Sequence, residues 1–127
     1  MKIYTSYFAN VRKLPEKIIP ISIARYAKYW KGLNYFPLAP DAETLKLPLK
    51  EYTEKFLHQL SKLNVHKVIF DLGVISEGED IALLCYEKPG DFCHRRLVAD
   101  WIKEKTGIEV EEYKAESREE TNQPNLL

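Results

Sequence analysis

The chain has 127 residues, and its nineteen basic and nineteen acidic side chains cancel to zero net charge. That length suits one domain, and the charge balance excludes a bulk field drawing the protein to nucleic acid or membrane, while leaving room for a local basic groove. No apolar run approaches the roughly 20 residues of a membrane span.

Met1-Lys2-Ile3-Tyr4 lacks the layout of a signal peptide. Two cysteines eight positions apart do not make a secreted disulfide framework. The chain is therefore expected to be cytoplasmic, with reduced thiols.

In chain order, residues 2–8 alternate and are rich in β-branched and aromatic types, which predicts a first strand. Residues 9–16 are a polar connection. Residues 17–25 predict a second strand with Ile19, Ile21 and Ile23 on one face and Ser22 and Ala24 on the other. Pro20 removes a ladder donor there and argues for an edge position or a bulge. Arg25 ends this strand, where its guanidinium can reach a site.

Residues 26–48 are crowded with Tyr26, Tyr29, Trp30, Tyr35 and Phe36 and broken by Gly32, Pro37, Pro40 and Pro48. A long connection with this many aromatics predicts an ordered lid or flap beside the site rather than a disordered linker.

Residues 49–63 predict an amphipathic helix, with Leu49, Tyr52, Phe56, Leu60 and Leu63 along one stripe. Residues 65–72 have strand-like composition, but Val65, Val68, Ile69 and Leu72 recur at helical spacing, so a second helix ending near Gly73–Ser76 is expected.

The stretch from Asp80 to Thr106 organises the rest. Ile81–Cys85 is a short continuous apolar run, as expected of a strand covered on both faces. A loop containing Pro89-Gly90-Asp91 follows, and then an amphipathic helix from Phe92 to the stop at Gly107, with Asp91 as its expected cap. Cys93, Leu97, Val98, Trp101 and Ile102 make its apolar stripe. Ile108–Glu111 alternates like a last strand. Residues 1–113 thus predict a small single-domain α/β sandwich, its mainly parallel sheet of about four strands flanked by helices, and residues 114–127 a polar, flexible tail.

This unit sets Cys85 at a strand end and Cys93, His94 and Arg95 at a helix start, with Glu87 in the loop between. A cysteine at a helix N-terminus has its thiolate favoured by the helix dipole and nearby cations. Backbone N–H groups at such a terminus take phosphate or carboxylate readily, and Arg95 or Arg25 would add a clamp. The Cys85-to-Arg95 spacing is longer than that of phosphatase and sulfurtransferase loops. Cys85, Cys93 and His94 supply three possible metal ligands, one short of a structural zinc site, with no CxxC pair; His58 and His66 read as surface residues.

Leu83-Leu84-Cys85-Tyr86-Glu87-Lys88, followed by Cys93-His94-Arg95-Arg96-Leu97-Val98-Ala99, resembles the signature of family 488 of the domains of unknown function, DUF488. Ile3–Tyr7, Ile21–Arg25 and Leu38-Ala39-Pro40 extend the similarity, which spans most of residues 2–113. The resemblance implies a small α/β sandwich with the segment before Glu77 helical, and no established activity.

Three readings follow. The first is an enzyme or enzyme-like domain for a phosphate-bearing ligand, a nucleotide or a nucleic-acid end. Cys85, Cys93, Glu87 and His94 would be its catalytic groups, and Arg25, Tyr35 and Arg95 would bind the ligand. The second is a non-catalytic nucleic-acid or protein binding module using the aromatic segment 26–36. The third is a structural metal-binding domain. No cofactor and no oligomeric state follow from the residues.

Overall fold

Five parallel strands and three α-helices appear in the computed structural model, which describes residues 1–87 and 92–114. The chain begins with β1 (Ile3–Tyr7), a 3-10 turn at Phe8–Lys13, β2 (Ile18–Ser22) and β3 (Leu33–Asn34). Two more 3-10 turns, at Phe36–Leu38 and Thr44–Lys46, lead into α1 (Leu49–Ser61) and α2 (Val65–Ile75). β4 (Asp80–Cys85), α3 (His94–Thr106) and β5 (Glu111–Glu112) complete the described chain.

The strand order is β3-β2-β4-β1-β5. β4 lies in the middle, paired with β2 on one side and β1 on the other, and every residue from Ile81 to Cys85 is buried. That double covering is why its sequence is a continuous apolar run rather than an alternation.

One sheet face carries Ile3, Ile21, Ile23, Ile81 and Leu83 against Phe56 and Leu60 of α1, Val68 and Leu72 of α2, and Val98 and Ile102 of α3. Each such side chain contributes roughly 1.5–3 kcal/mol relative to exposure. Ile18, Ala82 and Leu84 face the other way and are covered by Tyr4, Phe8, Val11, Leu14, Trp30 and Tyr113. The second layer is thus a 3-10 turn and a set of rings, while the three helices pack on the opposite face.

Pro20 suggests an edge position or a bulge, but β2 has a neighbour on each side; it is the shortness of β3 that accommodates the proline. Tyr35 N donates to Ser22 O, and Ile23 N donates to Leu84 O. Backbone groups alternate sides along a strand, so the even positions of β2 face β3. β3 pairs only with Ile21 and Ser22. The donor that Pro20 lacks would therefore point past the end of β3, where no strand needs it.

The three helices fall where their periodicity puts them. α2 starts at a cap whose side chain does the work: Asn64 Oδ1 accepts from His66 N at 2.9 Å and Lys67 N at 3.2 Å. α3 stops at Gly107, which holds φ 79°. Its start differs from the expected Phe92. Cys93 is the N-cap, in extended conformation and with no side-chain capping bond, so the first turn begins at His94. Asp91, the expected cap, lies outside the described residues, as do residues 115–127 of the expected tail.

The last strand is short. Val110 is buried, but only Glu111 and Glu112 pair, with Tyr4 and Thr5 of β1. Among the described residues no helix is long and apolar enough to cross a membrane.

Candidate functional site

The sheet order creates an opening at one place. From β2 the chain moves outward to β3, on one edge. From β4 it passes through α3 to β5, on the opposite edge. β2 and β4 are neighbours, so their connections diverge and leave a crevice beyond their carboxyl ends. A pocket of about 470 Å³ lies there. Ala24, Arg25 and Tyr26 line it from the end of β2, Cys85, Tyr86 and Glu87 from the end of β4, and Cys93 and His94 from the start of α3.

Cys85 follows Ile81 and Leu83 in strand parity, which directs it to the helix-bearing face. There its sulfur meets that of Cys93 in bonding contact, as a disulfide. The sequence reading kept both thiols reduced; a strand end and a helix N-cap converging on one point join them instead. The two Cα atoms stand 7.1 Å apart, just past the roughly 4.4–6.8 Å that disulfides normally span.

His94 is 5% exposed. Its Nε2–H donates to Ile23 O at 2.6 Å, which leaves the lone pair on Nδ1, 3.8 Å from Cys93 Sγ. Burial pushes its pKa down to about 4; the Ile23 bond opposes this and the Arg95 charge adds to it. The imidazole is therefore neutral at physiological pH, with an acceptor nitrogen turned to sulfur. Phe56 packs edge-on against the ring at 5.3 Å.

Arg95 lies behind the pocket rather than in it, 1% exposed. Nε and Nη2 pair with the two carboxylate oxygens of Glu112 at 3.0 and 3.1 Å. Nη1 donates to Cys85 Sγ at 3.0 Å and to Glu87 O. Four of its five N–H donors are engaged inside the protein. Two tethers also hold the half-buried Arg25, Nε to Pro40 O at 3.0 Å and Nη2 to Ala39 O at 3.1 Å, while its side chain still lines the pocket.

Glu87 is exposed at the pocket. Tyr35 is elsewhere: buried, not among the lining residues, and donating its hydroxyl to Asp71 Oδ2 of α2 at 2.7 Å. Burial and the Asp71 carboxylate both push its pKa well up. The structure therefore brings Cys85, Glu87, Cys93, His94 and Arg25 together, sets Arg95 directly behind them, and leaves Tyr35 as a strut between the long connection and α2.

The aromatic segment divides. Tyr29 is 83% exposed, Trp30 is half-buried and Tyr35 is buried. Part of it is therefore core and part surface.

Tyr52 is a pocket residue that sequence reasoning placed only on an apolar stripe. It lines the wall from α1, edge-on to Phe92 at 5.2 Å. Burial, and secondarily the Glu87 charge, push its pKa up to about 12, so it remains an O–H donor. The available signal was a hydroxyl-tipped ring one turn inside the helix that follows the long connection.

The donor atoms of Cys85, Cys93 and His94 all lie within 4.8 Å of one another. With the disulfide reduced, two thiolates and an imidazole whose other nitrogen is fixed by a carbonyl would supply three donors for a soft or borderline ion, one fewer than a structural zinc set. His58 and His66 are exposed and take no part.

The family model DUF488-N3a, described as the active DUF488-N3 subclade, matches residues 10–106. That stretch holds every pocket residue named above and ends at the last residue of α3. No curated protein matches, and no solved structure matches.

Proposed function

The chain belongs to the DUF488 family, as a member of its active DUF488-N3 subclade, and from that premise we propose that it is a thiol-dependent enzyme acting on a phosphate-bearing ligand in the crevice between β2 and β4. The observation that carries this reading is the charge-assisted contact from Arg95 Nη1 to Cys85 Sγ, on the wall of a pocket at the sheet's switch point. A guanidinium at that distance favours the thiolate over the thiol. Once a dithiol reductant has opened the Cys85–Cys93 bond, giving two thiols as it is itself oxidised to a disulfide, Cys85 is the nucleophile. Cys93 is its partner thiol, and the neutral His94 offers Nδ1 beside it as a hydrogen-bond acceptor. Glu87 carries protons at the exposed side, and Tyr52 offers a hydroxyl. Arg25, together with the first-turn amides of α3, supports the choice of an anionic ligand.

The test is alkylation of the reduced protein by iodoacetamide across pH, in Cys93→Ser and Cys85→Ser variants. Cys85, read in Cys93→Ser, is expected to react with an apparent pKa below the roughly 8.5 of a free thiol, and Arg95→Met should move that value upward. Inorganic phosphate or AMP should slow the reaction. A Cys85 that titrates like a free thiol, unprotected by either anion, would end the proposal.

A second reading rests on the three-donor cluster, which would hold a zinc-class ion. Stoichiometric metal in purified protein, lost together with Cys85 and Cys93, would replace the thiol chemistry with metal chemistry.

A further inference from the structure

The reacting pocket does not end at its own rim. Tyr86 lines it and also lines a second recess of about 430 Å³. Arg25 and Tyr26 line it and also a third depression of about 510 Å³. Ala27 and Trp30 are shared between those two. The three hollows therefore share walls around the segment 25–30, along the carboxyl edge of the sheet.

The second recess is walled by aromatic rings. Phe8 packs on Trp30 at 5.4 Å and on Tyr86 at 4.9 Å, both tilted, and Trp30 is held by its Nε1–H to Leu33 O at 2.8 Å. Tyr29 stands at the same recess almost fully in water. Its ring stands beside the Lys28 ammonium, 5.6 Å from centroid to Nζ.

The charges along the two outer hollows are of one sign. Arg12 lines the second, Arg25 and Lys28 the third, and among the described residues no carboxylate lines either. On a chain of zero net charge this is a local basic track, and a polyanion with flat apolar faces is what complements it. A single nucleotide would not reach from the reacting pocket into both neighbouring hollows.

We infer that this groove binds a single-stranded nucleic-acid segment, one base stacking in the Phe8–Trp30–Tyr86 recess against Tyr29 and the backbone following Arg12, Arg25 and Lys28. The inference rests on the thiol reading for the chemistry and names its substrate class; Arg25 serves both, whereas Arg12, Lys28, Tyr29 and Trp30 belong to this groove and line no part of the thiol pocket. Sequence preference is not expected, because stacking and phosphate contacts carry little base information.

The experiment is fluorescence anisotropy of a fluorescein-labelled thymidine decamer with the full chain. Affinity should fall with salt at a log–log slope of about −2, from three cations at roughly 0.7 each on a single strand. Tyr29→Ala should weaken binding by roughly 5- to 100-fold, the range for one stacked base, and its high exposure keeps folding out of the result. Arg12→Ala and Lys28→Ala should each flatten the salt slope. Absence of binding, a blunt duplex binding as well as the single strand, AMP competing as well as the decamer, or an unchanged affinity in Tyr29→Ala would each overturn the inference. Cys85→Ser should still bind the decamer. Binding without thiol reactivity therefore overturns only the thiol reading, and reactivity without binding only this one.

Discussion

Two neighbouring residues at the start of α3 hold opposite electrostatic positions. Arg95 keeps its charge while buried because Glu112, 13% exposed, takes both sides of its fork. His94 has no carboxylate partner; it gains a carbonyl and loses water. The consequence is a pH dependence whose sign can be worked out. The folded pKa, about 4, lies below the ordinary 6.5, so the unfolded chain binds the proton first. Stability from this group is complete above about pH 6.5 and is lost as pH falls toward 4, by roughly 3 kcal/mol at 1.36 kcal/mol per unit. Asp41 and Asp71, both held below the usual carboxylate range by hydrogen bonds, lose stability in the same direction. The comparison that isolates His94 is therefore urea unfolding of the wild type and His94→Gln at pH 7, 5 and 4. The variant, whose amide can still donate to Ile23 O, should lose less. Parallel losses would show that the imidazole is not held neutral.

Elements differ in how far their residues announced them. α1 and α3 carry stripes that one face buries, and β4 carries a run that two faces bury, so period and length suffice. α2 was recognisable only because Val65, Val68 and Leu72 share a helical face, and all three are buried. β3 was not legible. Its two residues are exposed and become a strand solely by pairing with Ile21 and Ser22, which no local pattern encodes. The helix start was misread because an acidic residue near a glycine looks like a cap, whereas the Cys93 cap makes no side-chain capping hydrogen bond. The helix stop can be tested directly. Gly107 holds φ +79° with nothing within 4 Å of an added Cβ, so Gly107→Ala meets backbone strain alone. A loss of about 1 kcal/mol is expected, read as a lower midpoint in urea at unchanged slope. No loss would mean that α3 ends without help from its left-handed residue.

At the scale of the whole molecule, the site is a product of topology. The Cys85, Cys93, His94 and Arg95 cluster was legible because strand, loop and helix are contiguous. The other wall of the pocket comes from β2 and α1, tens of residues away, and no spacing rule connects Tyr52 or Ala24 to Cys85. Tyr35 shows the same limit from the other side: aromatic crowding marked the connection as important, but the sheet order turned that ring toward Asp71 and not toward the crevice. If diverging connections are what open the pocket, then filling the gap from the β2 side should close the thiols off without disturbing the core. Ala24 is the position for this, buried at the end of β2 and part of the pocket wall. Ala24→Leu adds three carbons into open volume, so it should cost less than the roughly 1–3 kcal/mol of an overpacked core, and Tm should shift by no more than about 4 °C. Labelling of the reduced protein by a bulky maleimide should slow several-fold. Loss of Tm without slower labelling would mean that Ala24 faces a filled interior and that reagents reach the sulfurs by another path.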